Sequence, residues 1–154
     1  MDEINIHLKG VKGWLLLMCI SLTILDPSSI ILNLMIVTNL TKPYFSKNTE
    51  LLRLILINGT FSIGLAVFSI YAGLSLWKIL PNAVATAKKY LLAISLYSVF
   101  STFIPVLIGL QTEPVKGVSG NSVANSLMTI LYATAWYLYL KKSKRVKATY
   151  SSNL

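Results

Sequence analysis

Four apolar runs, at about residues 14–39, 54–77, 90–110 and 122–140, dominate the chain. A helix of about 20 apolar residues covers the roughly 30 Å hydrocarbon core of a bilayer. Each run is therefore read as one crossing. The expected fold is all-α, an integral membrane bundle of four transmembrane helices in a single domain spanning residues 1–154, with a basic tail over residues 141–154. Composition agrees: 55% of residues are apolar and 12% charged, against about 25% charged in soluble proteins.

The charges sit between the runs, and their signs are unequal, with 14 Lys and Arg against 5 Asp and Glu. In a soluble chain such an excess points to nucleic acid. Here the cations flank apolar runs and no nucleic-acid motif is present, so orientation in the membrane accounts for them. With four crossings, the first side carries Lys9, Lys12, Lys78, Lys88, Lys89, Lys141, Lys142, Lys144, Arg145 and Lys147. The second carries Lys42, Lys47, Arg53 and Lys116. Ten cations against four predict that both termini lie in the cytoplasm. Trp14, Trp77 and Trp136 fall at or near the cytoplasmic ends of their runs.

The first run contains Asp26-Pro27-Ser28-Ser29. Asp followed by Pro is a helix-start pattern, and proline removes the amide that would bond the carbonyl of Thr23. A kinked or broken helix is expected. A central Asp costs about 2.5 to 3.5 kcal/mol on insertion, while each Leu, Ile or Val returns about 0.3 to 0.6. The 13 such residues between Leu15 and Val37 outweigh it. A second geometry stays open, in which the crossing ends by Leu25 and residues 30–37 lie along the interface.

Lipid offers helices little hydrophobic reason to associate, so small and polar residues mark their contact faces. Ser62, Ala66, Ser69 and Gly73 form one such stripe, and Ser122, Ser126, Thr129 and Ala133 form another. Asp26 is the carboxylate expected nearest the membrane interior, and so the candidate for proton or cation work. Its structural alternative is a local cap on the amides of Ser28 and Ser29. Asn33 and Asn58 complete the candidate intramembrane polar residues, each able to bond across helices.

Catalytic groups are scarce. His7 stands apart from any cysteine or acid at ligand spacing, so no metal is expected. No serine or cysteine is paired with a histidine, and no phosphate-cradling loop occurs. An enzyme is not expected and no cofactor is implied. Cys19, the single cysteine, lies in an apolar run and reads as a small hydrophobe.

Two stretches resemble a known family. Gly10-Val11-Lys12-Gly13-Trp14-Leu15-Leu16 resembles the Gly-Trp-Leu opening of the bacterial inner-membrane family catalogued as domain of unknown function 2569. Ser143-Lys144-Arg145-Val146-Lys147-Ala148-Thr149-Tyr150 is similar to that family's closing Ser-x-Arg-Val-Lys-Ala-Thr-aromatic pattern. The resemblance implies a four-span inner-membrane protein with no assigned activity and no catalytic residues to carry over. Because orientation needs only cations, residues 146–150 are expected to make a cytoplasmic contact.

Two functional expectations follow. The first is a non-enzymatic accessory, scaffold or immunity-type protein acting by helix or tail contacts. Its partners are membrane lipids and a membrane protein or a second copy of itself. The second is a small oligomeric transporter or channel element using Asp26 and the intramembrane hydroxyl stripes.

Overall fold

The computed structural model describes residues 10–44, 49–107 and 116–150. Among the described residues regular structure is entirely helical. Helix α1 (Trp14–Ile20) passes through a π-helical turn (Ser21–Leu25) directly into α2 (Asp26–Thr41), and a short 3-10 turn (Lys42–Tyr44) follows. Then come α3 (Thr49–Trp77), α4 (Ala83–Leu107), α5 (Lys116–Lys142) and the short α6 (Lys144–Tyr150).

Three stretches are long and apolar enough to cross a membrane: Trp14–Thr41, Leu51–Trp77 and Ala83–Phe103. The chain is built as a multi-pass membrane protein. Helix α5 is a fourth long helix, with 27 residues. At 1.5 Å per residue it reaches about 40 Å, enough for one crossing with a margin.

The first crossing is one uninterrupted helical path. Residues 30–37 continue it within α2 instead of turning along the interface. The chain does not break at Pro27 because the π turn absorbs the missing amide. The Asp26 amide bonds back to the Ser21 carbonyl, five residues earlier. The Leu22 carbonyl thereby loses its ordinary partner, and the next residue in line to replace it, Pro27, has no N–H to give. Ser69 of α3 supplies the bond instead, its hydroxyl donating to the Leu22 carbonyl at 2.7 Å. The turn and α3 come very close here, at Gly73. A Cβ on that glycine would lie 2.5 Å from Thr23 Cγ2 and 3.0 Å from the Thr23 backbone nitrogen.

Helix boundaries differ from the apolar runs. Helix α4 begins at Ala83, several residues before Lys88 and Lys89. Long lysine stems reach toward water while their backbone stays helical, so cations need not end a helix. Similarly, α5 begins at Lys116 and carries Gly117 and Gly120 within the helix. Between α3 and α4, the Leu80 amide bonds the Ser75 carbonyl and the Ile79 amide bonds the Leu76 carbonyl. This paired closure normally places glycine at the left-handed position. Here that position is Ile79, with φ of 50°.

The core lies toward the end of the bundle that holds both termini of the described chain. Leu15, Met18, Cys19 and Leu22 pack with Ala72 and Leu76 of α3, Ala87, Tyr90 and Leu91 of α4, and Val146 and Tyr150 of α6. The Gly10 amide donates to Thr149 Oγ1 at 3.2 Å. Both ends of the described chain thus meet at one end of the bundle.

Candidate functional site

Asp26 is the centre of the interior polar structure. It opens α2, just past the π turn, and the two neighbouring long helices reach it with tyrosines. The Tyr90 hydroxyl of α4 donates to Asp26 Oδ2 at 3.0 Å, and the Tyr132 hydroxyl of α5 donates to Oδ1 at 2.9 Å. Each ring is fixed from the side. Phe68 of α3 meets Tyr90 edge-on at 5.7 Å, and Trp136 meets Tyr132 edge-on at 6.3 Å.

The expected cap on Ser28 and Ser29 is not formed. Leu25, the residue before α2, is already helical, and no side-chain cap bond is made there. With the chain helical through residues 25 and 26, the carboxylate points sideways to its neighbours and not back along its own helix. It serves as a junction between three helices.

A second polar cluster lies two helical turns further along α4. Seven residues separate Tyr90 from Tyr97, a rise of roughly 10 Å. The Tyr97 hydroxyl donates to the Asn58 side-chain oxygen on α3. Its one proton is then committed, so Ser62 is the donor in the 2.8 Å Ser62–Tyr97 contact. Ser101 reaches the same Asn58 oxygen at 3.4 Å. A third cluster joins α4 to α5, where Ser126 and Thr102 both donate to the Ser98 carbonyl at 2.9 Å. Among the described residues, every buried side-chain nitrogen and oxygen has a partner.

The first stripe is consumed within the chain, since Ser62, Ala66, Ser69 and Gly73 are all buried. The second is used in part. Ser126 bonds α4 and Ala133 is buried, while Thr129 bonds only the Asn125 carbonyl of its own helix. The Ser122 side chain and His7 lie outside the described residues. Asn33 faces outward from α2, among the exposed Leu32, Met35 and Ile36.

The basic tail divides in two. Lys141, Lys142, Lys144 and Lys147 are exposed, whereas Val146, Thr149 and Tyr150 are buried against the rest of the chain. Tyr150 donates to the Leu76 carbonyl at the end of α3, at 2.7 Å. Burial pushes its hydroxyl pKa well above the ordinary tyrosine value. Arg145 is half-buried, and its guanidinium lies 3.6 Å from where a Cβ on Gly13 would stand. Residues 146–150 therefore hold the molecule's own N-terminal segment and α3.

A family model described as protein of unknown function (DUF2569) matches residues 8–151. The chain belongs to this family. The two stretches that carried the resemblance, residues 10–16 and 143–150, come together in space through the Gly10–Thr149 bonds. In this DUF2569 protein they form the two halves of one intramolecular clasp. No curated protein and no solved structure is detectably similar to the chain.

Sequence reasoning found Asp26 but not its tyrosines. A signal existed, since Tyr90 and Tyr97 stand two turns apart on one face of α4. Tyr132 likewise sits well inside an apolar run.

Proposed function

We propose that this protein crosses the bacterial inner membrane four times, with both termini in the cytoplasm, and acts without catalysis through lateral contact with another membrane helix. The observation that carries the contact reading is Asn33. Its carboxamide stands exposed on an otherwise apolar face of α2. In hydrocarbon an amide left without partners is costly, and bonding across a helix pair recovers about 0.6 to 2 kcal/mol. The interior favours the same reading. Ser62, Ser69, Ser126, Asn58 and Asp26 are spent on neighbouring helices, which suits a fixed bundle that presents its outside. The count of ten cations against four supports the orientation.

A photocrosslinking residue at position 33 in native membranes is expected to give a discrete adduct that the same residue at exposed Leu96 does not. The adduct mass separates a second copy from a different protein. No adduct at position 33, or the same adducts from both positions, would sink the proposal. Orientation has its own test, since a reporter fused after Leu154 should be active only in its cytoplasmic form.

A second reading, a small oligomeric transporter or channel element, is favoured by the convergence of α2, α4 and α5 on Asp26. An intramembrane carboxylate shared by three helices is a common feature of ion pathways. Reconstituted protein would then move protons or a small cation, and Asp26→Asn would abolish that flux. Absence of flux in the unaltered protein removes this reading.

A further inference from the structure

We propose that the groove between α4 and α5 seats one anionic phospholipid, with its phosphate at the Lys88–Lys141 end and an acyl chain along the floor. The groove is a cleft of about 140 Å³ lined by the buried Leu91 and Ala133 and by the exposed Leu92 and Leu138. Ser95 and Ala133 are small, and their size creates the hollow between the two helices. Thr134 and Tyr137 complete the wall.

The end of the groove is marked by charge. Lys88 stands one turn before Leu91 and Leu92, and Lys141 one turn after Tyr137 and Leu138, so periodicity puts both at the same mouth. The structure places Lys88 there directly, its ammonium lying 5.8 Å from the centre of the Tyr137 ring. A phenol ring beside an ammonium leaves most of its hydrogen-bonding capacity unused. The chain has only five acids. Asp26, the one whose side chain is described, is already held by Tyr90 and Tyr132. Among the described residues the mouth therefore has cations and no acid, above an apolar channel.

That combination fits a lipid phosphate better than a protein segment. An acidic peptide would satisfy the lysines but leave the channel empty, and an apolar helix would fill the channel but not the lysines. From Lys88 to Ser95 the groove runs roughly 10 Å. It therefore grips the headgroup-proximal part of the acyl chain, and the remainder joins the bilayer. Tyr137 sits at the boundary, its ring along the chain and its hydroxyl at headgroup depth, where amphipathic aromatics are enriched.

The test uses full-length protein in mild detergent, incubated with equal amounts of phosphatidylglycerol and phosphatidylcholine of matched chains and analysed by native mass spectrometry. One phosphatidylglycerol should be retained in preference to phosphatidylcholine, by on the order of tenfold for two cations at the headgroup. Lys88→Gln with Lys141→Gln should bring retention down to the phosphatidylcholine level. Lys144→Gln with Lys147→Gln, an equal charge change on exposed tail positions, should leave it intact. Thr134→Trp, which fills the groove from its rim, should remove the bound lipid while the melting temperature stays unchanged. Equal retention of the two lipids by the unaltered protein would overturn the proposal. So would equal losses from the two lysine pairs, since diffuse attraction would then suffice.

Discussion

Gly73→Ala is the sharpest test of how the first crossing is held. The new methyl would stand 2.5 Å from Thr23 Cγ2, 3.0 Å from the Thr23 nitrogen and 3.1 Å from Leu22 Cβ, where carbon atoms settle at about 3.5 to 4.0 Å. Rotating the Thr23 side chain relieves only the first of these. The other two belong to atoms that move only with the backbone, so the π turn and α3 must separate. Overpacking of this kind costs about 1 to 3 kcal/mol. Separation also stretches the Ser69 bond to the Leu22 carbonyl, adding about 1 kcal/mol. Against this, replacing a mid-helix glycine by alanine returns up to about 1 kcal/mol. The net expectation is a loss of about 2 kcal/mol. Gly64, on the same helix, is the internal control, because a Cβ there would meet nothing within 4 Å. Gly64→Ala should stabilise by up to about 1 kcal/mol. Reversible unfolding in mixed micelles, followed by circular dichroism, measures both. Thr23→Ser in the Gly73→Ala background removes the worst contact while keeping the hydroxyl, and should restore part of the loss. Equal stability of the two alanine variants would refute the close approach at the π turn.

Three further outcomes follow from the same structure. Ser69→Ala leaves the Leu22 carbonyl without a donor and should cost about 1 to 3 kcal/mol; Ser75→Ala, which loses only a bond within its own helix, should cost under about 0.5 kcal/mol by the same unfolding measurement. Asp26→Leu strands the Tyr90 and Tyr132 hydroxyls and should destabilise by about 2 kcal/mol or more, whereas Asp26→Asn keeps one acceptor and one donor for them and should cost less than half as much. Tyr150 is held protonated in the folded chain, so its contribution is complete below the ordinary tyrosine pKa of about 10 and is lost as pH rises above it; melting temperatures of the unaltered protein and Tyr150→Phe should differ at neutral pH and converge toward pH 12.

Much of the architecture was legible because lipid leaves the chain so few options. Apolar runs of sufficient length must be helices, and the Ser62–Gly73 stripe marked a face for close helix contact. Asp26 stood out for its chemistry. Its partners did not, because tyrosine in a membrane chain reads first as an interfacial residue, and pairing Tyr90 with Tyr132 requires the rotation of α4 against α5. That rotation is set by packing and has no local signature. The same limit hid the pairing of Asn58 with Tyr97. The tail was legible in part. Residues 146–150 stood out because orientation needs only cations, but their partners, the Gly10 backbone and the Leu76 carbonyl, lie 139 and 74 residues away in sequence and have no local signature.

The Tyr150 bond to the Leu76 carbonyl also has a consequence in time. These partners are 74 residues apart in sequence. At roughly 5 to 20 residues per second, synthesis takes roughly 4 to 15 s to pass from one to the other. Throughout that interval α3 is already made and available for insertion, but its last turn lacks the hydroxyl that finishes it. The Gly10 amide waits longer still for Thr149. The helices are thus delivered one by one into the bilayer, and the clasp at their shared end closes only after the last long helix has emerged. A nascent chain stalled before Tyr150 would carry all its long helices without the bond that fastens α6 to the end of α3.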